Sequence, residues 1–142
     1  MKLVADANVL LAAVLGDRAR AVLQHPEIEE VLTAELTLAE VQEYAAILAR
    51  KRGLSLDTLL LAVAALPVTV VEPEVYSRSL SEARRLVAKR DPDDVDILAL
   101  ALHTKLPLWS NDNDFEAAGV AGKIEWYTTA ELLPKLGISG NR

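Results

Sequence analysis

Aspartates follow hydrophobic segments of this chain, at the points where strands would end. Asp6 comes directly after the apolar residues 3–5, and Asp112 and Asp114 come soon after residues 108–110. The carboxyl ends of parallel strands form the crevice in which α/β proteins collect ligands, so these carboxylates should lie close together. Because neighbouring carboxylates repel one another unless a cation neutralises them, we expect a hard divalent metal there, Mg²⁺ or Mn²⁺. The pattern predicts a metal-dependent phosphodiesterase.

A further group of acids stands at Asp91, Asp93, Asp94 and Asp96, directly before an apolar stretch over residues 97–102. The helix dipole favours acidic residues at a helix N-terminus, which accounts well for Asp91 and in part for Asp93. The apolar helix that follows should be buried, so its first turn should face something enclosed. We therefore favour Asp94 as a metal ligand, with Asp93 or Asp96 supporting it.

Glu40 and Asp6 each have a structural alternative. Thr37 and Glu40 match the Thr-x-x-Glu capping box, in which the glutamate only bonds back to the start of its helix. Alternatively Glu40, or Glu43 three residues on and on a similar face, reaches a metal near the helix N-terminus. After the first strand, Asn8 can cap the next helix. That cap leaves Asp6 without a structural task and favours a functional one.

Two other functions can be weighed on the same residues. Asp112 and Asp114 begin like an EF-hand calcium loop, but Ala117 and Lys123 stand where that loop requires glycine and glutamate. An aspartyl-phosphate enzyme requires Asp-x-Asp after the first strand, or a phosphate acceptor in a middle strand with a later lysine. Position 8 is Asn, and no lysine follows a suitable strand end. The calcium loop is excluded, and phosphotransfer is the weaker alternative.

Short apolar strands alternate with helical patterns, which is typical of an α/β protein with a parallel sheet and right-handed crossovers. One domain is expected over residues 1–136, followed by a C-terminal tail over residues 137–142. The strands are expected at residues 2–5, 30–33, 68–71, 107–109 and 124–127. The helices are expected at residues 9–23 with a break near 16–17, 37–50, 55–66, 73–89, from 92 onward, 113–118 and 129–136.

Composition limits the class of protein. The 142 residues suit one domain with a sizeable core. There is no cysteine, which excludes disulfides and thiolate metal sites, and two histidines, His25 and His103, make a multi-histidine zinc centre a poor fit. No apolar run reaches the roughly 18 residues of a membrane span, and the N-terminus lacks a signal peptide pattern. A cytoplasmic protein is expected.

The net charge of −6 is opposite to that of most nucleic-acid-binding proteins. However, several acids gathered in one metal site would lower the total without making the outer surface acidic. Basic residues cluster at positions 18 and 20, 50–52, 84–85 and 89–90. They either line a path for phosphates or balance nearby acids on solvated helix faces. The sequence leaves both explanations open.

With these residues in place, the chain resembles PIN-domain proteins and is similar to the toxin ribonucleases of VapBC-type toxin–antitoxin pairs. The resemblance extends from about Lys2 to Leu133. It is carried by residues 4–10, residues 37–41, Asp94 with the Ala/Leu-rich segment up to Pro107, and residues 109–115. The resemblance implies a three-layer sandwich, in which helices flank a central, mostly parallel five-stranded sheet.

The resemblance also implies a Mg²⁺- or Mn²⁺-dependent ribonuclease. The acids of the family pattern fall on Asp6, Glu40, Asp94, Asp112 and Asp114. Asp6, Asp94 and Asp112 would hold one or two ions directly. Glu40 would ligate metal or orient water, and Asp114 would support the ligands. The metal would lower the pKa of a bound water and clamp phosphate oxygens, so no histidine is required as general base.

Further expectations concern neighbouring residues and partners. Ser110 falls where the family often has a hydroxyl residue beside the metal. Relatives commonly form homodimers and bind a small antitoxin, and the apolar segments 9–15 and 56–66 are longer than one small core requires. RNA is the expected substrate. The non-enzymatic alternative is a PIN-fold module that binds nucleic acid or protein with little activity, against which the intact acids argue.

Overall fold

A computed structural model describes residues 1–16, 18–87 and 89–138. Five strands form one sheet in the order β3-β2-β1-β4-β5, and each of its four pairings is parallel. The strands are β1 (Lys2–Ala5), β2 (Glu30–Ala34), β3 (Thr69–Val71), β4 (Leu108–Trp109) and β5 (Trp126–Tyr127). The predicted α/β fold with a five-stranded parallel sheet is confirmed, and the strand ends lie within two residues of those expected.

Helices cover both faces of the sheet and form two hydrophobic cores. The first core contains residues of α1 (Ala7–Val14), α2 (Arg18–Leu23), α3 (Glu35–Arg52), α4 (Leu56–Ala64) and α9 (Thr129–Lys135). The second contains residues of α5 (Pro73–Tyr76), α6 (Leu80–Val87), α7 (Val95–Thr104) and α8 (Glu116–Val120). Strand β1 supplies both cores, since Leu3 and Ala5 belong to the first and Val4 to the second. A strand buried on both faces needs a continuous apolar sequence, which is why β1 is recognisable from sequence.

Two predicted helices are divided: the one at 113–118 begins as a 3₁₀ turn at Asn113–Phe115 before α8, and the one at 73–89 is interrupted. The segment 73–89 was expected to be a single helix, but α5 is followed by a 3₁₀ turn at Ser77–Ser79 before α6 begins. The Ser77 hydroxyl donates a hydrogen bond to the Glu74 carbonyl at 3.2 Å. Serine competes with the helical backbone in this way, so the helix changes its winding at this point. The break between α1 and α2, in contrast, was predicted.

The order of the strands creates a crevice between β1 and β4. From β1 the chain builds outward through β2 to β3, and it then crosses to the other side of β1 to form β4 and β5. The segments that follow β1 and β4 therefore lead to opposite faces of the sheet. Open α/β sheets bind ligands in the crevice between two such segments, beyond the carboxyl ends of the strands. The backbone N–H of Asp6 donates to the Trp109 carbonyl at 3.0 Å. This bond fixes the two strand ends beside each other.

The sequence also predicted the bounds of the domain and the absence of a membrane span. The single domain over residues 1–136 and the tail over 137–142 stay predictions, and residues 139–142 lie outside the described residues. Among the described helices, none combines the length and apolar character needed to cross a bilayer.

The bond between β4 and α9 gives a test of the packing. The buried Trp109 indole N–H donates to the buried Thr129 hydroxyl at 3.0 Å. Thr129→Val keeps the shape but leaves the indole N–H without its partner, so we expect a loss of about 1–3 kcal/mol in the free energy of unfolding. Urea denaturation measures it. Thr69→Val on exposed β3 is the control, expected to change stability by less than about 0.5 kcal/mol; equal losses would contradict the assignment.

Candidate metal centre

Asp6 joins β1 to α1. Strand β1 ends at Ala5, helix α1 begins at Ala7, and the Asp6 side chain accepts a hydrogen bond from the Ala7 N–H at 2.8 Å. Asp6 is therefore the N-cap, and the assignment of that role to Asn8 is wrong. The helix begins one residue before Asn8, because the chain turns into α1 as soon as β1 ends. Asp6 is only 5% exposed, so its carboxylate is enclosed where the sheet meets the helix.

Asn8 and Ser110 hold the Asp6 carboxylate in place. Asp6 Oδ2 accepts hydrogen bonds from Asn8 Nδ2 at 3.2 Å and from the fully buried Ser110 hydroxyl at 2.8 Å. The same hydroxyl accepts from Asn8 Nδ2 at 3.1 Å and from the Asp112 N–H at 3.0 Å. Asn8 Oδ1 in turn accepts from the Asn111 N–H at 3.1 Å. This network links the end of β1 to the loop after β4 and leaves Asp6 little freedom to move.

Asp94 reaches the same crevice from the start of α7. A 3₁₀ turn at Pro92–Asp94 precedes that helix, and the Asp91 carboxylate caps this turn by accepting from the Asp93 N–H at 2.9 Å. Asp94 is 5% exposed, and among the described residues its Oδ2 atom is buried without any hydrogen-bond partner. Buried carboxylate oxygens are rarely left unpaired because the lost solvation is costly. Such an atom indicates a ligand.

The acids form two clusters that share Asp94. Oxygen atoms of Asp6, Asp94 and Asp112 lie within 4.8 Å of one another, and so do oxygen atoms of Asp91, Asp94 and Asp114. Asp112 also caps the 3₁₀ turn Asn113–Phe115, accepting from the Asp114 N–H at 2.9 Å. The structure thus brings together three of the favoured acids, Asp6, Asp94 and Asp112. Asp114 belongs to the second cluster, which is joined to the first through Asp94. Arg90 lies 3.8 Å from Asp114 and balances part of its charge.

Asp93 and Asp96, the two suggested supports of Asp94, belong to neither cluster of the described residues. Asp93 is exposed. Asp96 accepts a hydrogen bond of 2.6 Å from the hydroxyl of the fully buried Tyr76. That bond connects the first turn of α7 to α5, so Asp96 fixes the helix that carries Asp94. Nothing in the local sequence separates these four acids as clearly as their burial does.

Glu40 does not cap its helix. Helix α3 begins at Glu35, directly after β2, and its N-cap Ala34 has no side-chain bond. Thr37 is buried inside the helix, so the predicted Thr37–Glu40 capping box is wrong. The same pattern occurs as a real capping box at Thr128 and Glu131. Glu40 instead lies one turn into the helix, partly exposed.

A cavity of about 300 Å³ lies over the first acid cluster. Its lining residues are Asp6, Ala7, Asn8, Leu11, Glu40, Tyr44, Asp91, Asp94 and Asp112. Glu40 therefore faces the same space as the three clustered aspartates. Glu43 does not line this cavity but a neighbouring one, which Glu40 also lines. Of the two glutamates that sequence spacing left as alternatives, Glu40 lines the cavity over the acid cluster and Glu43 does not.

Three carboxyl groups in this crevice have raised pKa values. Burial raises the pKa of Asp94 well above its ordinary value of 3.8, and the charge of Asp6 raises it further. Burial also raises the pKa of Asp6, although the hydrogen bonds from Ser110 and the Ala7 N–H oppose that effect. For Glu40, burial and then the charge of Asp6 raise the pKa from 4.5 to about 7. Without a cation, each of these groups keeps its proton to a higher pH than an ordinary carboxyl group does.

The residues present fit a hard divalent cation. The clusters offer carboxylate oxygens alone, the donor type that Mg²⁺ and Mn²⁺ prefer, and one of these oxygens is buried without a partner. A bound cation would satisfy that oxygen and favour the ionised form of each neighbouring carboxyl. Asp6, Asp94 and Asp112 are the residues placed to hold it.

The site also contains residues whose role the sequence did not reveal. Asn8 was assigned to a helix cap but bridges Asp6 and Ser110. Leu11 and Tyr44 line the cavity and were not singled out. Their spacing was the available signal, because each lies one helical turn beyond a site residue: Leu11 after Asn8 and Tyr44 after Glu40.

Comparison with known proteins identifies the family. The PIN domain family model matches residues 4–134, so the chain belongs to the PIN-domain family. Curated protein sequences give no significant match. Among solved structures, VapBC2 from Rickettsia felis, bound to a promoter DNA fragment, matches with a TM-score of 0.68 at 14% identity, covering 90% of this chain and 98% of that one.

Two further structures share the fold. A toxin–antitoxin complex from Klebsiella pneumoniae matches with a TM-score of 0.63 at 21% identity, covering 89% of this chain and 97% of that one. VapC20 of Mycobacterium tuberculosis, described as a toxin that cleaves the sarcin–ricin loop, matches with a TM-score of 0.57 at 20% identity, covering 82% and 95%. At these identities the likeness establishes the fold.

The raised pKa values predict how stability depends on pH. As pH rises from about 4 to 6 the unfolded chain releases the protons of Asp94 and Glu40, whereas in the folded, metal-free protein Glu40 releases its proton near pH 7 and Asp94 at still higher pH. The unfolded state then binds fewer protons, so the free energy of unfolding should fall as pH rises through 7. Chemical denaturation at pH 5–8 in EDTA measures this fall.

The matched variants for this measurement are Asp94→Asn and Asp57→Asn. Asp94→Asn should flatten the pH dependence and reduce the stabilisation that added Mn²⁺ produces at pH 8. Asp57 is exposed at the start of α4, so Asp57→Asn should behave as wild type. A pH profile of Asp94→Asn that matches wild type would contradict the assignment.

Proposed function

We propose that this protein is a Mg²⁺- or Mn²⁺-dependent endoribonuclease that hydrolyses phosphodiester bonds in RNA. The observation that carries the proposal is the buried, unpartnered Asp94 Oδ2 at the meeting point of two acid clusters in a PIN fold. VapC20, which shares the fold, is described as cleaving the sarcin–ricin loop, and this supports RNA as the substrate. The acids proposed to be catalytic are Asp6, Glu40, Asp94 and Asp112, with Asp114 as a further metal-site residue.

Each residue has a distinct task in this proposal. When bound, the metal supplies Lewis-acid activation of water and neutralises charge on the reacting phosphate. Asp6, Asp94 and Asp112 provide its oxygen ligands, and the hydrogen bonds from Asn8 and Ser110 keep Asp6 oriented. Preorganised ligands lower the cost of reorganisation during the reaction.

Glu40 and Asp114 lie outside the three-acid cluster of Asp6, Asp94 and Asp112. Glu40 lines the cavity over that cluster, and its carboxylate can orient the attacking water there or accept a proton from it. Asp114 supports the site through Asp94, whose oxygens it approaches.

Phosphotransfer through Asp6 is less well supported. Both Asp6 oxygens accept hydrogen bonds, from the Ala7 N–H and from Asn8 and Ser110, and position 8 is Asn rather than the second Asp of that motif. A trapped acyl phosphate on Asp6 would favour it. A binding module without activity would retain RNA affinity but show no cleavage that chelation abolishes.

We further propose a homodimer and a small antitoxin partner, with a cytoplasmic location. The structures from Rickettsia felis and Klebsiella pneumoniae are toxin–antitoxin assemblies, which supports the second partner. Helix α4 carries exposed leucines, of which Leu61 is 71% exposed, next to Leu56 and Leu60. Apolar side chains grouped in this way mark an interaction surface.

The dimer is tested by light scattering at micromolar concentration. Wild type should have the mass of a dimer, and Leu61→Lys should shift it toward the monomer because a charge would be placed in the apolar contact. Lys51→Gln, a charge change of similar exposure at the end of α3, is the control and should leave the mass unchanged. A monomeric wild type would contradict the proposed dimer.

Glu40→Gln tests the catalytic assignment. The substitution preserves shape and removes the carboxylate, so RNA cleavage should fall by about 10²–10⁴-fold, the contribution of a positioned acid or base. Because Glu40 forms no cap, the free energy of unfolding should stay within about 1 kcal/mol of wild type. Cleavage of a labelled RNA with Mn²⁺ gives the rate.

Two control variants accompany Glu40→Gln, one expected to be active and one expected to be inactive. Glu43→Gln lies on the same helix outside the cavity and should cleave near the wild-type rate. Asp6→Asn should not cleave, and so identifies activity that comes from a contaminating nuclease. A wild-type rate in Glu40→Gln, on a substrate that Asp6→Asn leaves intact, would remove Glu40 from the mechanism.

A further inference from the structure

The aromatic side chains of this protein are distributed unevenly. The chain has six, all among the described residues. Trp109, Tyr76 and Phe115 are fully buried, and the pair at positions 126–127 is partly buried. Tyr44 differs, since 46% of its surface is exposed. The location of this exposed ring on the surface therefore bears on its role.

Tyr44 lies at the rim of the candidate metal centre. It follows Glu40 by four residues on α3, so the two side chains share one face of the helix, one turn apart. Both line the 300 Å³ cavity over the clustered aspartates.

The lining of the cavity combines carboxylates with larger side chains. Asp6, Asp94 and Asp112 contribute carboxylates, and Leu11 and Tyr44 contribute an isobutyl group and a phenol ring. A phosphodiester held by the acid cluster through a cation would bring an attached nucleoside into the space that Tyr44 also lines. Every base presents a flat π-face that can stack on an aromatic ring, independently of its identity.

We propose that Tyr44 is a positioning residue whose ring stacks against an unpaired nucleobase next to the scissile phosphate. The inference rests on the proposed ribonuclease function and adds a residue that orients the substrate. In a duplex, the bases are stacked on one another and their faces are not available to a side chain, whereas bases in loops and single strands can be splayed onto aromatic residues. Tyr44 therefore holds the neighbouring base without selecting its identity.

A neighbouring residue provides the matched control. Ile47 follows Tyr44 on α3 and is 39% exposed, but it does not line the cavity. If Tyr44 were exposed only because this helix face meets a second copy of the chain, Ile47 would share that role. If Tyr44 stacks on RNA, the two residues should differ. Both are at the surface, so their substitution should leave the fold intact, and circular dichroism checks this.

The experiment compares kcat/KM for one cleavage sequence, presented as a labelled single strand and as a duplex, with Mn²⁺ present. Tyr44→Ala should lower kcat/KM on the single strand by about 5- to 150-fold, the range of one aromatic–base stack. Tyr44→Phe and Tyr44→Trp should stay near wild type because they keep a ring, and Ile47→Ala should also stay near wild type. The slope of log kcat/KM against log salt should not change in Tyr44→Ala, since stacking releases no counterions.

A second measurement does not depend on turnover. Single-stranded RNA with 5-iodouridine beside the cleaved bond is irradiated with the protein, and the crosslinked peptide is identified by mass spectrometry. The crosslink should fall on Tyr44 and disappear in Tyr44→Ala. A crosslink elsewhere, combined with wild-type kcat/KM in Tyr44→Ala, would overturn the inference.

The outcomes separate this inference from the proposed function. If wild type cleaves RNA and Tyr44→Ala cleaves it equally well, the stacking role fails and the ribonuclease stands. If Tyr44→Phe loses as much as Tyr44→Ala, the hydroxyl rather than the ring is responsible, and stacking is again wrong. A change of oligomeric state in Tyr44→Ala with unchanged kcat/KM assigns the ring to a contact between copies. If wild type cleaves no RNA, both proposals fall together.

Discussion

The carboxylates buried in the crevice between β1 and β4 are the constraint on which the rest of the structure depends. Asp6 and Asp94 are each 5% exposed and approach Asp112 so closely that oxygens of all three lie within 4.8 Å of one another. Burial and mutual repulsion both oppose ionisation of such a group. The fold keeps the acids together because each is held at a different point of the crevice: the end of β1, the 3₁₀ turn before α7 and the loop after β4.

Asp6 and Asp94 differ in how many of their carboxylate oxygens accept hydrogen bonds, and this difference bears on the function of the site. Asp6 is fixed by three donors, and one of them, the Ser110 hydroxyl, also accepts from the Asp112 N–H. Asp94 keeps one buried oxygen without a partner. A site in which one carboxylate is fully oriented and another is left open is organised around something that the chain itself does not supply. A divalent cation, as we propose, would fill this role.

The fold could be predicted because its signals are local. Strand β1 supplies both cores, so its sequence is apolar throughout. The starts of helices could not be predicted in the same way. Thr37 and Glu40 carry the same pattern as Thr128 and Glu131, yet only the second pair forms a capping box. In the first case α3 begins at Glu35, directly after β2 ends at Ala34, so Thr37 is already inside the helix.

The site was predictable in its residue types and less so in its details. Asp94 was favoured because an apolar helix follows it in the sequence. In the structure Asp94 is buried and belongs to both acid clusters. The positions of Asp96 and Asn8 depend on residues far away in the chain, since Tyr76 holds the first and Ser110 the second. Sequence spacing carries no information on such contacts. The basic residues at positions 50–52 close α3, where cations suit the helix dipole, so that cluster has a structural explanation.

The central claim is that Asp6, Asp94 and Asp112 together bind one divalent cation. Anomalous diffraction at the manganese edge, from crystals grown with Mn²⁺, locates such an ion directly. The expected result is a strong peak enclosed by the three carboxylates and within ligand distance of Asp94 Oδ2, lost in crystals of Asp94→Asn. A protein that cleaves RNA with Mn²⁺ but shows its anomalous peak elsewhere, with Asp94 Oδ2 still unligated, would contradict the claim.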